Sequence, residues 1–171
     1  MAVILQPCAN KNARKHYVDT IKNTVSLESI SSYINDKELN ELQSIYPQGR
    51  LAIWGVMPSQ ATKWHRIQAG DITLLAKEGA VFASAVTTYK AHNHALAEHL
   101  WGLDDDGKTW EYIYFIAEIH NQHIPYQELN KVIPYKENYG IRGFTILDEE
   151  KSLNVLSAFD LASETYFPDC E

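Results

Sequence analysis

No stretch of the chain approaches the ~18 consecutive apolar residues that a membrane-spanning helix needs, so no membrane role is expected. The opening MAVILQP is short and has no basic start, so no secretory signal is read there and a cytoplasmic setting is expected. Cysteine is scarce. Cys8 and Cys170 stand near the two ends, make no metal motif and fit a reducing environment. There is no P-loop, no GxGxxG and no GxSxG elbow, which argues against NTP hydrolysis, dinucleotide binding and serine nucleophilic catalysis. No cofactor is expected. Positive charge is also short: 15 Lys and Arg against 22 Asp and Glu leave a net charge of −7, which disfavours indiscriminate nucleic-acid binding.

The distribution of charge says more than its sum. Residues 42–70 contain no Asp or Glu but hold Arg50, Lys63 and Arg66. Residues 79–97 are again acid-free and hold Lys90. The acid gathers at Asp104 to Asp106 and from Asp148 onward. A locally cationic face on an acidic protein is compatible with this pattern, and so is chance clustering.

Hydrophobic periodicity predicts an α+β chain. Residues 1–10 read as an extended lead-in. Helices are expected over Asn12–Asn23, from Ser26 to Tyr33, and over Asp36–Tyr46, the last opened by Asn35 and Glu38 at capping-box spacing. Leu51 to Trp54 reads as a short strand. After Pro58, Ser59 is placed to cap a helical turn through Ile67. Ile72–Lys77 and Ala80–Thr88 make a hairpin around Glu78-Gly79, with Val81, Ala83 and Ala85 on one face. Asn93 can cap a helix to Trp101. Trp110 to Ile119, apolar on both faces, is expected to be the central strand. A short helical piece at Gln127–Ile133 and a last strand at Ile141–Leu147 precede a helix from Glu150 to about Glu164, apolar at Leu153, Leu156 and Phe159. The chain then divides into a helical segment (1–48) packed on a barrel-like sheet (49–148), with a C-terminal helix and tail (149–171).

Seven histidines invite a metal reading. His92, His94 and His99 lie near Glu98, and His120 and His123 near Glu118. Their spacing is not HExxH, and His94 and His99 point apart on a helix, so hydrogen-bonded surface histidines are the simpler reading. A two-metal nuclease built on Asp71 and Lys77 has the wrong spacing. The tryptophans are more informative. Trp110 reads as core and Trp64 as core or lid. Trp54 and Trp101 each stand where an element stops before a glycine, and two such indoles can sandwich a flat base. Core packing is the alternative for both.

The run LAIWGVMPS…KW…IQAGDITLL…GAVFASAVTT, followed by LAEHLWGLDDDGKTWEYIYFIAEI, resembles the YTH and EVE branch of the PUA-like superfamily. It is most similar to the variety fused to McrB-type and other modification-dependent restriction systems. The resemblance covers about Gly49 to Leu147. It implies a small twisted barrel that accepts one modified nucleotide in an aromatic cage. It would place Trp54 and Trp101 as cage walls, Trp64 as support or lid, and Gly55 and Val56 as main-chain contacts to the base. Lys63, Arg66 and Lys90, with Arg50, would then meet the nucleic-acid backbone. No clear match to the Asn-rich segment of YTH domains is found at Ile45–Arg50, and the "GD" at Gly70-Asp71 is more like EVE members, so the modified base is left open. The function expected is a non-catalytic specificity module for modified duplex DNA, with nuclease or NTPase activity on another domain or subunit. An RNA-binding module of the same fold, a His-rich metal-dependent hydrolase and a protein-binding adaptor are the rivals.

Overall fold

The computed structural model describes residues 1–136 and 139–161. It is α+β: a seven-stranded sheet with helices against both faces. In chain order the strands are β1 (Val3–Pro7), β2 (Val25–Ser26), β3 (Arg50–Val56), β4 (Ile72–Lys77), β5 (Ala80–His92), β6 (Tyr112–Pro125) and β7 (Thr145–Ile146). The helices are α1 (Lys11–Tyr17), α2 (Leu27–Ile30), α3 (Asp36–Ile45), α4 (Ala61–Arg66), α5 (His94–Trp101), α6 (Tyr126–Val132) and α7 (Glu149–Ala158). Across the sheet the order is β2-β3-β6-β5-β4-β1-β7.

The expected closed barrel is not what forms. Among the described residues no ladder joins β2 to β7, so the sheet is open. Its two edge strands are only two residues long. Such short edges offer too few backbone groups to close a barrel, and they also blunt the sheet against pairing with other chains.

Residues 3–7, read from sequence as a lead-in, are an interior strand. β1 runs parallel to β4, from Val3 opposite Ile72 to Pro7 opposite Ala76, and pairs antiparallel with β7. Val3 and Ile4 are fully buried because both faces of the strand are covered. Residues 1–48 and 49–148 therefore share one sheet. The segment Ile141–Leu147 contributes only Thr145–Ile146 as strand.

β5 and β6 are long and carry three register shifts, between Val81 and Ala83, Ser84 and Val86, and Thr87 and Tyr89. Each extra residue bends and twists the ribbon. The first shift overturns the expected alternation. Ala83 and Ala85 pack with Trp54, Leu75 and Tyr114, whereas Val81 joins Leu74 and Ile124 on the opposite face.

The core has three parts. One face of the sheet carries Ile4, Ala52, Trp54, Val56, Leu75, Tyr114 and Ile116, covered by Ala13 and Ile21 of the N-terminal helical region, Trp64 and Ile67 around α4, and Phe144. The other face is covered in two places. α6 and α7 pack Leu129, Val155 and Leu156 over Val3, Leu5 and Leu74. α2, α3 and α5 pack Ile30, Leu42 and Leu96 over Leu51, Ile53 and Phe115.

Local signals hold for α3 and α5. Asn35 accepts from Glu38 N and Glu38 reaches back to Asn35 N, completing the capping box, and Asn93 accepts from Leu96 N. Ser59 instead lies inside a 3₁₀ turn (Pro58–Gln60), and α4 follows without a side-chain cap. α7 is rotated from its expected face. Asp148 caps it, its buried residues are Ser152, Val155 and Leu156, and Leu153 is exposed. The expected helical residues 162–164 lie outside the described residues.

Two buried polar side chains lock β1 in place. Ser152 Oγ accepts from Val3 N at 3.0 Å and donates to Leu147 O. The Asp71 carboxylate accepts from Ala2 N and Gln68 N, each at 2.8 Å. Each oxygen of Asp71 thus accepts from a backbone donor, a structural role for this carboxylate. Replacing Ser152 with Ala strands a buried Val3 N–H, which costs about 1–3 kcal/mol. Urea denaturation of Ser152→Ala should show a lowered midpoint at unchanged slope.

Candidate functional site

A cavity of about 380 Å³ opens where β1 and β3 end. Five segments build it: Gln6 and Pro7 with the first turns of α1, Trp54 to Gln60, the acidic Asp104 in the loop after α5, Trp110 before β6, and Arg142 to Phe144 before β7. Its size falls within the about 300–1,000 Å³ of small-molecule sites.

Trp54 sits opposite Tyr114 in the β3–β6 ladder and is 3% exposed. Its Nε1 is buried without a hydrogen-bond partner, as is Gln6 Oε1, and both residues line the cavity. Unpaired buried polar atoms are costly, about 1–3 kcal/mol each. Tyr114 is fully buried on the same core face, and burial raises its hydroxyl pKa.

Trp54 lines this cavity and Trp101 does not. Side chains alternate along a strand, so Gly55 faces away from Trp54. A Cβ on Gly55 would stand 2.3 Å from Trp110 O and 2.6 Å from a ring carbon of Trp101. Trp101 is therefore seated on the bare backbone of Gly55, and its own Nε1 is buried without a partner. Gly55 and Val56 do line the cavity, and the second indole that lines it is Trp110. Trp64 is a support: its Nε1 donates to Ile113 O at 3.0 Å and its ring packs edge-on to Tyr112.

The four cations named from sequence are separated. Lys63 Nζ donates to the carbonyl of Phe144, a cavity residue, although Lys63 itself does not line the cavity. Lys90 Nζ bonds the carbonyls of Trp64 and His65 and lies 4.5 Å above the Trp64 ring. Burial lowers its pKa. Arg66 lines a different cavity, of about 740 Å³, beside Asp71, Asp148 and Asp160. Arg50 holds Thr24 at the far end of β3, roughly 20 Å from Val56 at about 3.3 Å per residue. Arg142 is an exposed cation on the cavity that sequence reading passed over.

His16 was also missed. It lies on the buried side of α1, 5% exposed, and lines the cavity. Its ring meets Trp110 edge-on at 4.3 Å and Trp101 at 5.4 Å. Residues Val18–Lys22 continue α1 as a π-helical turn, and the Thr20 hydroxyl donates to Ile53 O at 2.6 Å, which fixes α1 against β3. Burial, and then the Lys15 charge, push the His16 pKa down to about 4. A lone histidine in a helical pattern carries no signal of this. Only the helix face it shares with Ala13 hinted at burial.

The other histidines form no metal centre. His92 Nε2 and His94 Nδ1 lie 3.1 and 2.6 Å from the two oxygens of Glu111, and the bond to His94 does most to lower the pKa of that carboxyl. His99 stacks on Tyr33. Among the described residues no group of three or more His, Cys, Asp or Glu could hold a metal ion. Burial raises the Cys8 thiol to about 11, so it is a poor nucleophile at neutral pH.

Two outcomes follow from this packing. Gly55→Ala forces backbone and two tryptophans apart, so overpacking should destabilise the fold by about 1–3 kcal/mol, read as a drop in Tm. His16 titrates near 6.5 unfolded and near 4 folded. Its contribution to stability is complete above about pH 6.5 and is lost as pH falls toward 4, by up to about 3 kcal/mol. Urea unfolding of wild type and His16→Gln at pH 7 and 4.5 should show the smaller pH dependence in the variant.

No protein-family model matches the sequence, and no curated protein matches it. In three dimensions the chain is similar to the N-terminal domain of Thermococcus gammatolerans McrB, in a structure bound to m5C DNA. The TM-score is 0.65 at 14% sequence identity, over 94% of this chain and 98% of that one. At this identity the likeness is one of fold. It takes in most of residues 1–48 as well as the rest of the sheet.

Proposed function

We propose that this chain is a non-catalytic DNA-binding module that holds one modified base, turned out of a duplex, in the cavity beside Trp54. The observation that carries this reading is the cavity itself. Two indoles far apart in sequence, Trp54 and Trp110, line it together with a buried acceptor and donor that lack partners. The shared fold with a domain solved on m5C DNA supports it.

The energetics are consistent. Turning a base out costs a few kcal/mol. Each aromatic stack returns about 1–3 kcal/mol. A methyl group adds only about 0.8 kcal/mol by burial, so discrimination has to rest on cavity shape and edge hydrogen bonds. In this reading Trp54 and Trp110 are the walls, and Gly55 and Val56 supply main-chain contacts. Trp101 backs the wall through Gly55, and Trp64 supports it from the α4 side. Lys63 and Arg142 meet phosphates near the cavity. Arg66, Lys90 and Arg50, each farther out or engaged within the protein, play at most a minor part. The wider proposal is a PUA-like unit of the YTH and EVE kind, serving a cytoplasmic modification-dependent restriction protein whose nuclease or NTPase lies elsewhere.

The test is binding to duplexes that differ at one base: unmodified, 5-methylcytosine, 5-hydroxymethylcytosine or N6-methyladenine. Wild type should prefer one modified duplex. Trp54→Ala should weaken that complex roughly 5- to 150-fold, with folding checked by Tm. Equal affinity for all four duplexes would overturn the function, and RNA of the same sequence competing equally would replace DNA as the partner.

A further inference from the structure

We infer that His16 is a specificity-determining residue of this cavity, whose imidazole makes a hydrogen bond to the edge of the base held between the tryptophans. The inference rests on the base-binding reading and deepens it.

Three observations converge on this residue. First, position: His16 comes from α1, a different element from the strand that carries Trp54, and it is almost wholly buried while lining the space. Second, orientation without expenditure of a nitrogen: Trp110 and Trp101 hold the ring by edge and tilted contacts at 4.3 and 5.4 Å. Among the described residues no protein group hydrogen-bonds either ring nitrogen. Third, chemistry: a neutral imidazole carries one donor and one acceptor. Neither ring nitrogen is enclosed without a partner in the way Trp54 Nε1 and Gln6 Oε1 are, so both remain open on the cavity side for a ligand to pair with. The depressed pKa means that the ring stays uncharged at neutral pH, so it offers a hydrogen bond rather than attraction to phosphate.

Trp54 and Gln6 stand beside His16 in a lining that also holds Asn10, Asn12, Ser59, Gln60, Asp104 and Arg142. An indole N–H is only a donor, Gln6 Oε1 is an acceptor, and His16 can serve as either. A base edge, with donors and acceptors side by side, fits such a lining better than an apolar or a singly charged ligand does. Gln6 is partly committed, since its Nε2 donates to Pro7 O at 2.9 Å. His16 is thus the one of these three with both polar atoms still unpaired.

The experiment measures binding of wild type, His16→Phe and His16→Gln to two duplexes. One carries the modified base that wild type prefers, and the other has an abasic site at that position. His16→Phe keeps a flat ring against Trp110 but removes the hydrogen bond. It should weaken the modified duplex about tenfold and leave the abasic duplex unchanged. His16→Gln should recover most of the loss. In wild type, the ¹⁵N shifts of the His16 imidazole should move on adding the modified duplex and not the abasic one. This readout does not depend on any variant folding. No loss in His16→Phe, an equal loss on both duplexes, or unmoved ¹⁵N shifts would overturn the assignment of His16 while leaving base binding intact. Failure of wild type to prefer any modified duplex would overturn both.

Discussion

At Gly55 a strand without a side chain meets the face of an indole and a backbone carbonyl at distances no Cβ could occupy. The rest of the candidate site depends on that close approach. It seats Trp101 against β3 and brings Trp110 to the cavity. The two indoles in turn clamp His16. The π-helical turn after α1 and the Thr20 bond to Ile53 hold the other side of the clamp. The cavity is therefore shaped by tight aromatic packing on a rigid strand, and its residues are held by contacts that leave polar atoms unpaired.

That economy is visible in the buried groups. Trp54 Nε1, Gln6 Oε1 and Trp101 Nε1 are enclosed and lack partners, whereas Trp64 Nε1, Ser152 Oγ and the Asp71 carboxylate are fully used by backbone groups. Thr73 Oγ1, Thr87 Oγ1 and Tyr114 OH are likewise buried without partners, so of six such atoms among the described residues two, on Trp54 and Gln6, belong to residues that line the cavity.

Charge follows a similar division. The acid-free windows in the sequence led to four candidate cations, but a side chain can join a binding surface only if tertiary contacts leave it there. Lys90 is drawn over Trp64, Arg50 holds Thr24, and Arg66 faces an acidic cavity. Lys63 is held by the carbonyl of Phe144, and Arg142 comes to the cavity only because the segment before β7 folds back.

Local signals in the sequence determined most helices, the capping box at Asn35 and the β4–β5 hairpin, because these depend on neighbours within a few residues. They also supported an α+β class and a likeness that includes McrB-type domains. Tertiary structure decided the remainder. Whether residues 3–7 formed a strand depended on a parallel partner nearly seventy residues away. The face taken by Val81 depended on a bulge, and closure of the sheet on the length of its edges. The pairing of Trp54 with Trp110, and the entry of His16, depended on which chains cross at Gly55. These outcomes rest on long-range packing, which periodicity and spacing along one chain do not encode.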